Sequence, residues 1–205
     1  MKNLTDVLTQ IGSAKLIAVT KQQNIATIEK AIHAGQLAFG ENYIQEALPK
    51  ISALKKYKNI EWHFIGVIQA NKTRAIAEHF DWVQTVDRIK IAERLNAQRP
   101  AHLPPMQICI ELNISDDKNK SGVTLKNLPD LIGCIKKLPR LHWRGFMTMV
   151  TQDFAACREI FLQWQEKGYA IDTLSMGASN DFVEAIAQGS TMVRIGTKIF
   201  GERHT

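Results

Sequence analysis

The stretch Leu16-Ile17-Ala18-Val19-Thr20-Lys21, near the start of the chain, is an apolar run rich in branched residues that ends on a lysine. This pattern is typical of a strand that is buried on both faces in a parallel sheet or barrel. We expect Lys21 to lie at the carboxyl end of this strand, where α/β barrels place their functional groups. Considered alone, Lys21 is also compatible with a surface lysine whose amine reaches water.

Seven further apolar runs follow, and each is joined to the next by a segment whose apolar residues have helical spacing. The predicted strands lie, in chain order, at 16–21, 37–40, 62–66, 82–86, 106–113, 141–150, 173–176 and 192–196. Asn24 and Asp87 are predicted helix N-caps, and Gly35 and Gly189 are predicted helix stops. Eight such units in 205 residues predict a closed (β/α)8 TIM barrel. The alternative is an open doubly wound sheet, but the even alternation favours closure.

Length and composition predict one domain, residues 1–205, with a full hydrophobic core. With 45% hydrophobic and 22% charged residues, and no apolar stretch near ~20 residues, the chain is expected to be soluble and to avoid membranes. The first residues lack the features of a secretory signal, so we expect a cytoplasmic location. Cys109, Cys134 and Cys157 are widely spaced among apolar neighbours, which favours reduced core thiols over disulfides, a metal site or a nucleophile.

The formal net charge of +6 permits binding to anions. However, the lysines and arginines are scattered among 20 acidic residues, without the basic run or aromatic ladder that nucleic-acid modules display. We therefore expect no nucleic-acid partner. A small phosphorylated ligand explains the sign of the charge equally well.

Two turns after the last two predicted strands carry the residues expected at a phosphate site. Gly177-Ala178-Ser179-Asn180-Asp181 is a small-residue turn that opens a helix, and Gly196-Thr197 follows the eighth strand. TIM barrels commonly bind phosphate at these two loops, through backbone amides and hydroxyl groups. For Ser179 alone, the alternative is an ordinary helix N-cap.

An amine opposite a phosphate site suits pyridoxal 5′-phosphate (PLP), which offers an aldehyde to the amine and a phosphate to the turns. The mouth of a barrel is partly shielded from water, which favours the neutral, nucleophilic form of Lys21. Arg194, on the eighth predicted strand, can meet the pyridine nitrogen; because a guanidinium keeps its protons, that nitrogen would stay unprotonated. For Arg194, the alternative is an ion pair with an acidic residue elsewhere in the barrel. For the ligand, the alternative to PLP is a phosphosugar.

Seven segments between Leu16 and Gly201 form a set whose order and spacing agree. They are Ala18-Val19-Thr20-Lys21, Phe39-Gly40-Glu41-Asn42-Tyr43, Glu61-Trp62-His63-Phe64-Ile65-Gly66 with Gln69 and Asn71-Lys72, Lys120-Ser121-Gly122, Arg144-Gly145-Phe146-Met147, Leu174-Ser175-Met176-Gly177-Ala178-Ser179, and Met192-Val193-Arg194-Ile195-Gly196-Thr197-Lys198-Ile199-Phe200-Gly201. Together they closely resemble the YggS/PROSC-type pyridoxal phosphate homeostasis proteins.

The resemblance implies a TIM barrel of PLP fold type III, like the N-terminal domain of alanine racemase but without that enzyme's C-terminal β domain. It implies that PLP forms a Schiff base with Lys21, that Asn42 lies near the ring and that Arg194 faces the pyridine nitrogen. It also implies that Ser179 and the Gly196-Thr197 turn hold the phosphate.

Three further residues are implied by the resemblance alone. His63 and Met147 would line the pocket, although each, as a strand residue, is also compatible with ordinary barrel filling. Lys120 matches a loop lysine for which a second cofactor contact is suggested. The resemblance implies no metal.

The function implied by the resemblance is PLP binding in intracellular vitamin B6 homeostasis, with little or no catalytic turnover and no established catalytic residue. Apo-PLP enzymes are the implied recipients of the cofactor, and we expect a monomer. The alternative is a weak PLP-dependent amino-acid racemase or lyase. A two-base racemase of this fold usually takes a tyrosine from an added β domain, whereas Tyr43, Tyr57 and Tyr169 lie on predicted helices or their ends.

Overall fold

The computed structural model describes residues 2–115, 117, 119–149 and 153–201, in which strands and helices alternate. The strands are β1 (Lys15–Val19), β2 (Ala38–Glu41), β3 (Glu61–Phe64), β4 (Trp82–Val86), β5 (Met106–Asn113), β6 (Val123–Thr124), β7 (Leu141–Met147), β8 (Thr173–Ser175) and β9 (Met192–Ile195). The α-helices are α1 (Lys2–Gln10), α2 (Ile25–His33), α3 (Ile44–Leu54), α4 (Thr73–His79), α5 (Ile89–Gln98), α6 (Leu128–Ile135), α7 (Phe154–Glu166), α8 (Phe182–Ala187) and α9 (Thr197–Phe200).

Eight of these strands close into a barrel. In the order β1-β2-β3-β4-β5-β7-β8-β9, each strand pairs in parallel with the next, and β9 pairs in parallel with β1. The predicted (β/α)8 barrel is therefore confirmed, because an open sheet would leave two edge strands without a neighbour. The short strand β6 lies outside the barrel and pairs with Leu112 and Asn113 at the end of β5.

Side chains alternate between the two faces of the barrel wall, as the two-residue period of a strand requires. In β1, Leu16 and Ala18 belong to the main core between the strands and the surrounding helices. Ile17, between them, belongs to a second and smaller cluster inside the barrel. That inner cluster consists of Ile17, Ala38, Trp82, Cys109, Met147 and Met192.

The helix signals agree with the structure at one N-cap and fail at the other. Asn24 caps α2, since its side-chain oxygen accepts a hydrogen bond of 2.9 Å from the backbone N–H of Thr27. The prediction for Asp87 is wrong: Arg88 is the N-cap residue of α5, and no side chain caps that helix. The Asp87 carboxylate instead accepts hydrogen bonds of 2.7 Å from the Arg88 guanidinium.

Some predicted features reach beyond the described residues. The predicted strand 141–150 ends at Met147, and Val150 lies outside the described residues. The polar segment at 115–122 is also predicted to be a loop from the sequence, and its residues Asp116 and Lys118 lie outside the described residues. Across the ranges that are described, no helix has both the length and the apolar character needed to span a bilayer.

Candidate functional site

A cavity of about 530 Å³ opens at the carboxyl ends of the barrel strands. Nine residues are expected at a ligand site from the sequence, and six of them line this cavity: Lys21, Asn42, Ser179, Arg194, Gly196 and Thr197. The barrel brings the two ends of the chain together here, because β1 pairs directly with β9. The cavity is therefore the candidate functional site.

Lys21 sits in the turn between β1 and α2, and its side chain is half-buried on the cavity wall. The next residue, Gln22, has a φ of +61°, and its backbone N–H donates a 2.9 Å hydrogen bond to Glu46 Oε2. This bond ties the turn to α3. Lys21 makes no hydrogen bond or ion pair with any residue that the structure describes. Its amine is thus available to a ligand in the cavity.

Asn42 faces the cavity from the end of β2 and carries an unused polar atom. Its side-chain Oδ1 is buried, yet no donor among the described residues binds it. Leaving a buried acceptor without a donor costs roughly 1–3 kcal/mol, which a ligand with a suitable donor would recover.

Ser179 lies in the turn after β8 and contacts the start of α9. Its Oγ accepts long hydrogen bonds, each of 3.4 Å, from the backbone N–H groups of Gly196 and Lys198. The alternative role of Ser179 as the N-cap of α8 is wrong, because Asp181 occupies that position. Proteins bind anions through hydroxyl groups and turn amides such as these, without needing the dipole of a long helix.

Arg194 points from β9 into the floor of the cavity and is only 6% exposed. Its Nη1 donates to Ser175 Oγ at 2.7 Å, and its Nη2 donates to the backbone oxygen of Thr148 at 2.8 Å. Burial lowers the pKa of Arg194 to about 10, although nearby Glu111 opposes the shift. The guanidinium therefore keeps its positive charge and its donor protons at neutral pH.

Three expected site residues lie away from the cavity wall. His63 is fully buried inside the barrel, where its ring stacks on Trp82 with centroids 5.1 Å apart. Met147 is also fully buried and belongs to the inner cluster. Lys120 is an exposed loop residue whose backbone N–H donates to the backbone oxygen of Asp117 at 3.0 Å.

Sequence reasoning missed two polar residues that connect to the site. Ser175 accepts the hydrogen bond from Arg194, and Gln84 accepts one of 2.6 Å from the Ser175 hydroxyl. The available signal was a polar residue at an inward position of a strand that is otherwise apolar, such as Gln84 two residues after Trp82. That signal marks a buried polar group but does not identify its partner.

The cysteines do not contribute a nucleophile to the cavity. All three are free, and Cys109 and Cys157 are buried. Burial raises the pKa of Cys109 to about 12 and that of Cys157 to about 11. Both thiols are therefore protonated at neutral pH, and a thiol is a much weaker nucleophile than a thiolate.

Residues 1–204 match the family described as alanine racemase, N-terminal domain. The chain belongs to this family. Within it, the pyridoxal phosphate homeostasis protein of Escherichia coli K12 is 48% identical over 199 residues, which cover 92% of this chain and 85% of that protein. The corresponding protein of Haemophilus influenzae is 47% identical over 205 residues, with coverage of 94% and 86%. The resemblance expected from the sequence is thereby confirmed.

Two solved structures share the barrel. PipY of Synechococcus elongatus PCC7942, determined with PLP bound, superposes with a TM-score of 0.90 at 32% identity and covers 98% of this chain and 99% of that one. Alanine racemase from Corynebacterium glutamicum superposes with a TM-score of 0.75 at 18% identity, covering 100% of this chain and 60% of the racemase. The racemase comparison shows the common fold alone.

Proposed function

We propose that this chain binds PLP in the 530 Å³ cavity and holds it covalently on Lys21, as a carrier in PLP homeostasis. The observation that carries the proposal is an amine with no partner among the described residues, Lys21, facing the same cavity as the buried guanidinium of Arg194. Relatives named pyridoxal phosphate homeostasis proteins, at 48% identity, and the PLP-bound structure of PipY support it.

The cavity fits PLP in size and in charge. Its volume of about 530 Å³ falls within the roughly 300–1,000 Å³ usual for small-molecule sites. The charged side chains on its described wall are those of Lys21, Arg194 and Asp181, so two cations face one carboxylate. This balance favours an anionic phosphate. The unused Oδ1 of Asn42 adds an acceptor that a bound molecule can satisfy.

The residues divide into those that hold the phosphate and those that meet the rest of the molecule. Ser179, Gly196 and Thr197 would bind the phosphate with their hydroxyl and backbone N–H groups. Arg194 would donate a hydrogen bond to the pyridine nitrogen, and as a donor-only group it would leave that nitrogen unprotonated. When bound, PLP supplies an aldehyde carbon for an amine and a ring that can accept electrons.

Lys21 would supply the covalent link. Its Nζ would form a C=N bond to the aldehyde carbon, and the aldehyde oxygen would leave as water with the two amine protons. The cofactor would then be held as a Schiff base. Because Arg194 would leave the ring nitrogen unprotonated, the ring would withdraw electrons weakly, which suits holding the cofactor more than breaking bonds of a substrate.

Little or no catalytic turnover is part of the proposal. Among the described residues that line the cavity, no tyrosine, histidine or cysteine is present to act as a second acid or base opposite Lys21. Tyr43, beside Asn42 in sequence, is 59% exposed and is not one of the lining residues. Racemisation of amino acids or release of an amine product by the purified protein would contradict this part.

Recipients, assembly and location complete the proposal. We propose that apo-PLP enzymes receive the cofactor, that the whole chain acts as one PLP-binding barrel, and that it works as a monomer in the cytoplasm. The free state of all three cysteines agrees with a reducing compartment.

The test is to locate the cofactor on the chain. After incubation with PLP, the purified protein should show a visible absorbance band that borohydride removes, and mass spectrometry should place the reduced adduct on Lys21. Lys21→Ala should lose both the band and the adduct. Lys55→Ala, which changes an exposed lysine after α3, is the matched control and should keep both. A colourless wild type, or an adduct on another lysine, would overturn the proposal.

A further inference from the structure

A row of hydrogen bonds crosses the inside of the barrel from the cavity toward its opposite end. Arg194 Nη1 donates to Ser175 Oγ at 2.7 Å, and the Ser175 hydroxyl donates to Gln84 Oε1 at 2.6 Å. Gln84 Nε2 lies 2.9 Å from His63 Nδ1, and His63 Nε2 lies 2.6 Å from Glu61 Oε1. We call these five residues, Arg194, Ser175, Gln84, His63 and Glu61, the interior column.

The interior column is buried along most of its length. Ser175, Gln84 and His63 are each 0% exposed. They lie among the apolar side chains of the inner cluster, where a polar group is costly unless it is hydrogen-bonded. Apolar residues of similar size would fill the same space, so packing alone does not explain the column.

Every hydrogen bond of the interior column points the same way, and the direction is set at Glu61. A carboxylate only accepts hydrogen bonds, so His63 must carry its proton on Nε2, and its Nδ1 is an acceptor. The amide nitrogen of Gln84 therefore faces His63, and its oxygen faces Ser175. The Ser175 hydroxyl proton points to Gln84, which leaves the oxygen lone pairs of Ser175 for Arg194.

The direction of these hydrogen bonds is constant because Glu61 stays charged, as two observations indicate. Lys15 Nζ also donates to Glu61 Oε1. Burial raises the pKa of Glu61, but the hydrogen bonds from His63 and Lys15 outweigh it and bring the pKa to about 2. Glu61 is therefore charged at neutral pH, and one tautomer of His63 and one orientation of the Gln84 amide are retained.

We propose that the interior column positions the Arg194 guanidinium at the floor of the cavity, with Gln84 and Ser175 as the positioning residues. Within the described residues, Arg194 forms no ion pair, and Ser175 is the partner of its Nη1. Its Nη2 is held separately, by the backbone oxygen of Thr148. Removing the column would leave the guanidinium fixed on one side only. In the proposed function, this positioning aims Arg194 at the pyridine nitrogen.

The first measurement needs no cofactor. In the cofactor-free protein, NMR follows hydrogen exchange and rotation of the Arg194 guanidinium. Ser175→Ala should speed exchange of its Nη protons ~10-fold, the effect expected from one lost hydrogen bond. Gln84→Met, which removes the acceptor that orients the Ser175 hydroxyl, should also speed this exchange. Ser190→Ala is the matched control, because Ser190 is also a buried serine but bonds to backbone oxygens outside the column. It should leave the exchange rate as in the wild type.

The outcomes distinguish positioning of Arg194 by the interior column from a general loosening of the barrel. Faster exchange in Ser175→Ala and Gln84→Met, but not in Ser190→Ala, supports the proposal. Equal exchange in all variants and the wild type overturns it, as does an equal increase in Ser190→Ala. If Gln84→Met does not fold, Ser175→Ala, which removes a single oxygen atom, decides the test.

A second measurement uses PLP and rests on the proposed function. With ¹⁵N-labelled PLP, Ser175→Ala should raise the dissociation constant ~10-fold and shift the resonance of the pyridine nitrogen, while Ser190→Ala changes neither. If the wild type does not bind PLP, the proposed function fails and the exchange data still test the column. If the wild type binds PLP and Ser175→Ala matches it in affinity and resonance, the column proposal alone fails.

Discussion

Gly66, the second residue after β3, shows how a single residue shapes the candidate site. A Cβ at this position would lie 2.0 Å from the backbone oxygen of Asn42, far inside van der Waals contact. The carbonyl of Gly66 is also fixed, since it accepts a 2.6 Å hydrogen bond from the Thr85 hydroxyl. Because this bond holds Gly66 in place, a side chain here would displace Asn42 from the cavity wall.

We therefore expect Gly66→Ala to lower the free energy of unfolding by about 1–3 kcal/mol, the usual cost of overpacking, and to weaken PLP binding. Urea denaturation and a PLP titration measure the two effects. The control is Gly133→Ala in α6, where a Cβ meets no atom within 4 Å. Because alanine is the better helix former, this variant should gain about 0.5–1 kcal/mol. Equal effects of the two substitutions would contradict the explanation.

At the residue scale, the sequence predicts a side chain whose role follows from its position in its own strand. It misses side chains whose role depends on a contact with a residue of another strand. Lys21 is predictable because it ends an apolar run, and strand ends of a barrel meet at one face. Ser175 and Gln84 are not, because their roles depend on a contact between residues 91 positions apart. No local pattern specifies which strands lie opposite one another inside a closed barrel.

At the scale of elements, α3 is attached to the ends of β1 and β2 by a buried ion pair. Lys50 Nζ lies 2.7 Å from Glu41 Oε1 and donates to the backbone oxygen of Thr20, also at 2.7 Å. The Lys50 side chain is 9% exposed and that of Glu41 is 0% exposed. Burial raises the pKa of Glu41, and the bond from Lys50 opposes that shift. Since Thr20 precedes Lys21, the pair also supports the turn that carries the candidate amine.

Lys50→Met should lower the free energy of unfolding by about 3–5 kcal/mol, because it leaves the Glu41 carboxylate buried without its cation. The double variant Glu41→Gln, Lys50→Met removes both charges and should recover most of the loss. Lys55→Met, at an exposed position after the same helix, should stay within about 0.5 kcal/mol of the wild type. Urea denaturation compares the four proteins; a Lys50→Met variant as stable as Lys55→Met would refute the role of the pair.

The helix itself was predictable, but its attachment was not. Apolar residues at helical spacing from Ile44 to Leu54 predict an amphipathic α3, and the structure has its bounds at those residues. Lys50 looks in sequence like a solvent-facing residue of that helix, since lysine is almost never buried unless it is paired. Its burial follows from Glu41, which β2 places on the helix-facing side of the barrel wall.

At the scale of the whole molecule, the closed barrel follows from repetition. Each strand and helix unit has a local pattern, and eight of them at even spacing leave few alternatives to closure. The polar side chains inside the barrel do not follow from repetition, because each is an isolated polar residue in an otherwise apolar strand. His63 is the clearest case: the sequence suggests the pocket or filling, whereas the structure makes it a hydrogen-bonded residue between Gln84 and Glu61.

This arrangement of His63 links the stability of the whole barrel to pH. Burial lowers the pKa of His63 from 6.5 to about 4; the hydrogen bond and the charge of Glu61 oppose the shift, and the charge of Lys15 adds to it. Between these values the unfolded chain carries a proton on this residue and the folded chain does not. Proton uptake therefore favours unfolding, and the free energy of unfolding falls as pH drops from about 6.5 to 4.

The loss attributable to His63 should total about 3 kcal/mol by pH 4, with a slope approaching 1.4 kcal/mol per pH unit. His63→Gln keeps a donor for Glu61 and an acceptor for Gln84 but cannot gain a proton, so its unfolding free energy should depend less on pH in this window.

Cys157→Ala is the control, because it also alters a buried side chain, but the pKa of that thiol, about 11, lies far from the window. It should lower stability equally at every pH. Urea denaturation from pH 4 to 7 distinguishes these outcomes, and parallel curves for the wild type and His63→Gln would mean that His63 is not held neutral by the barrel.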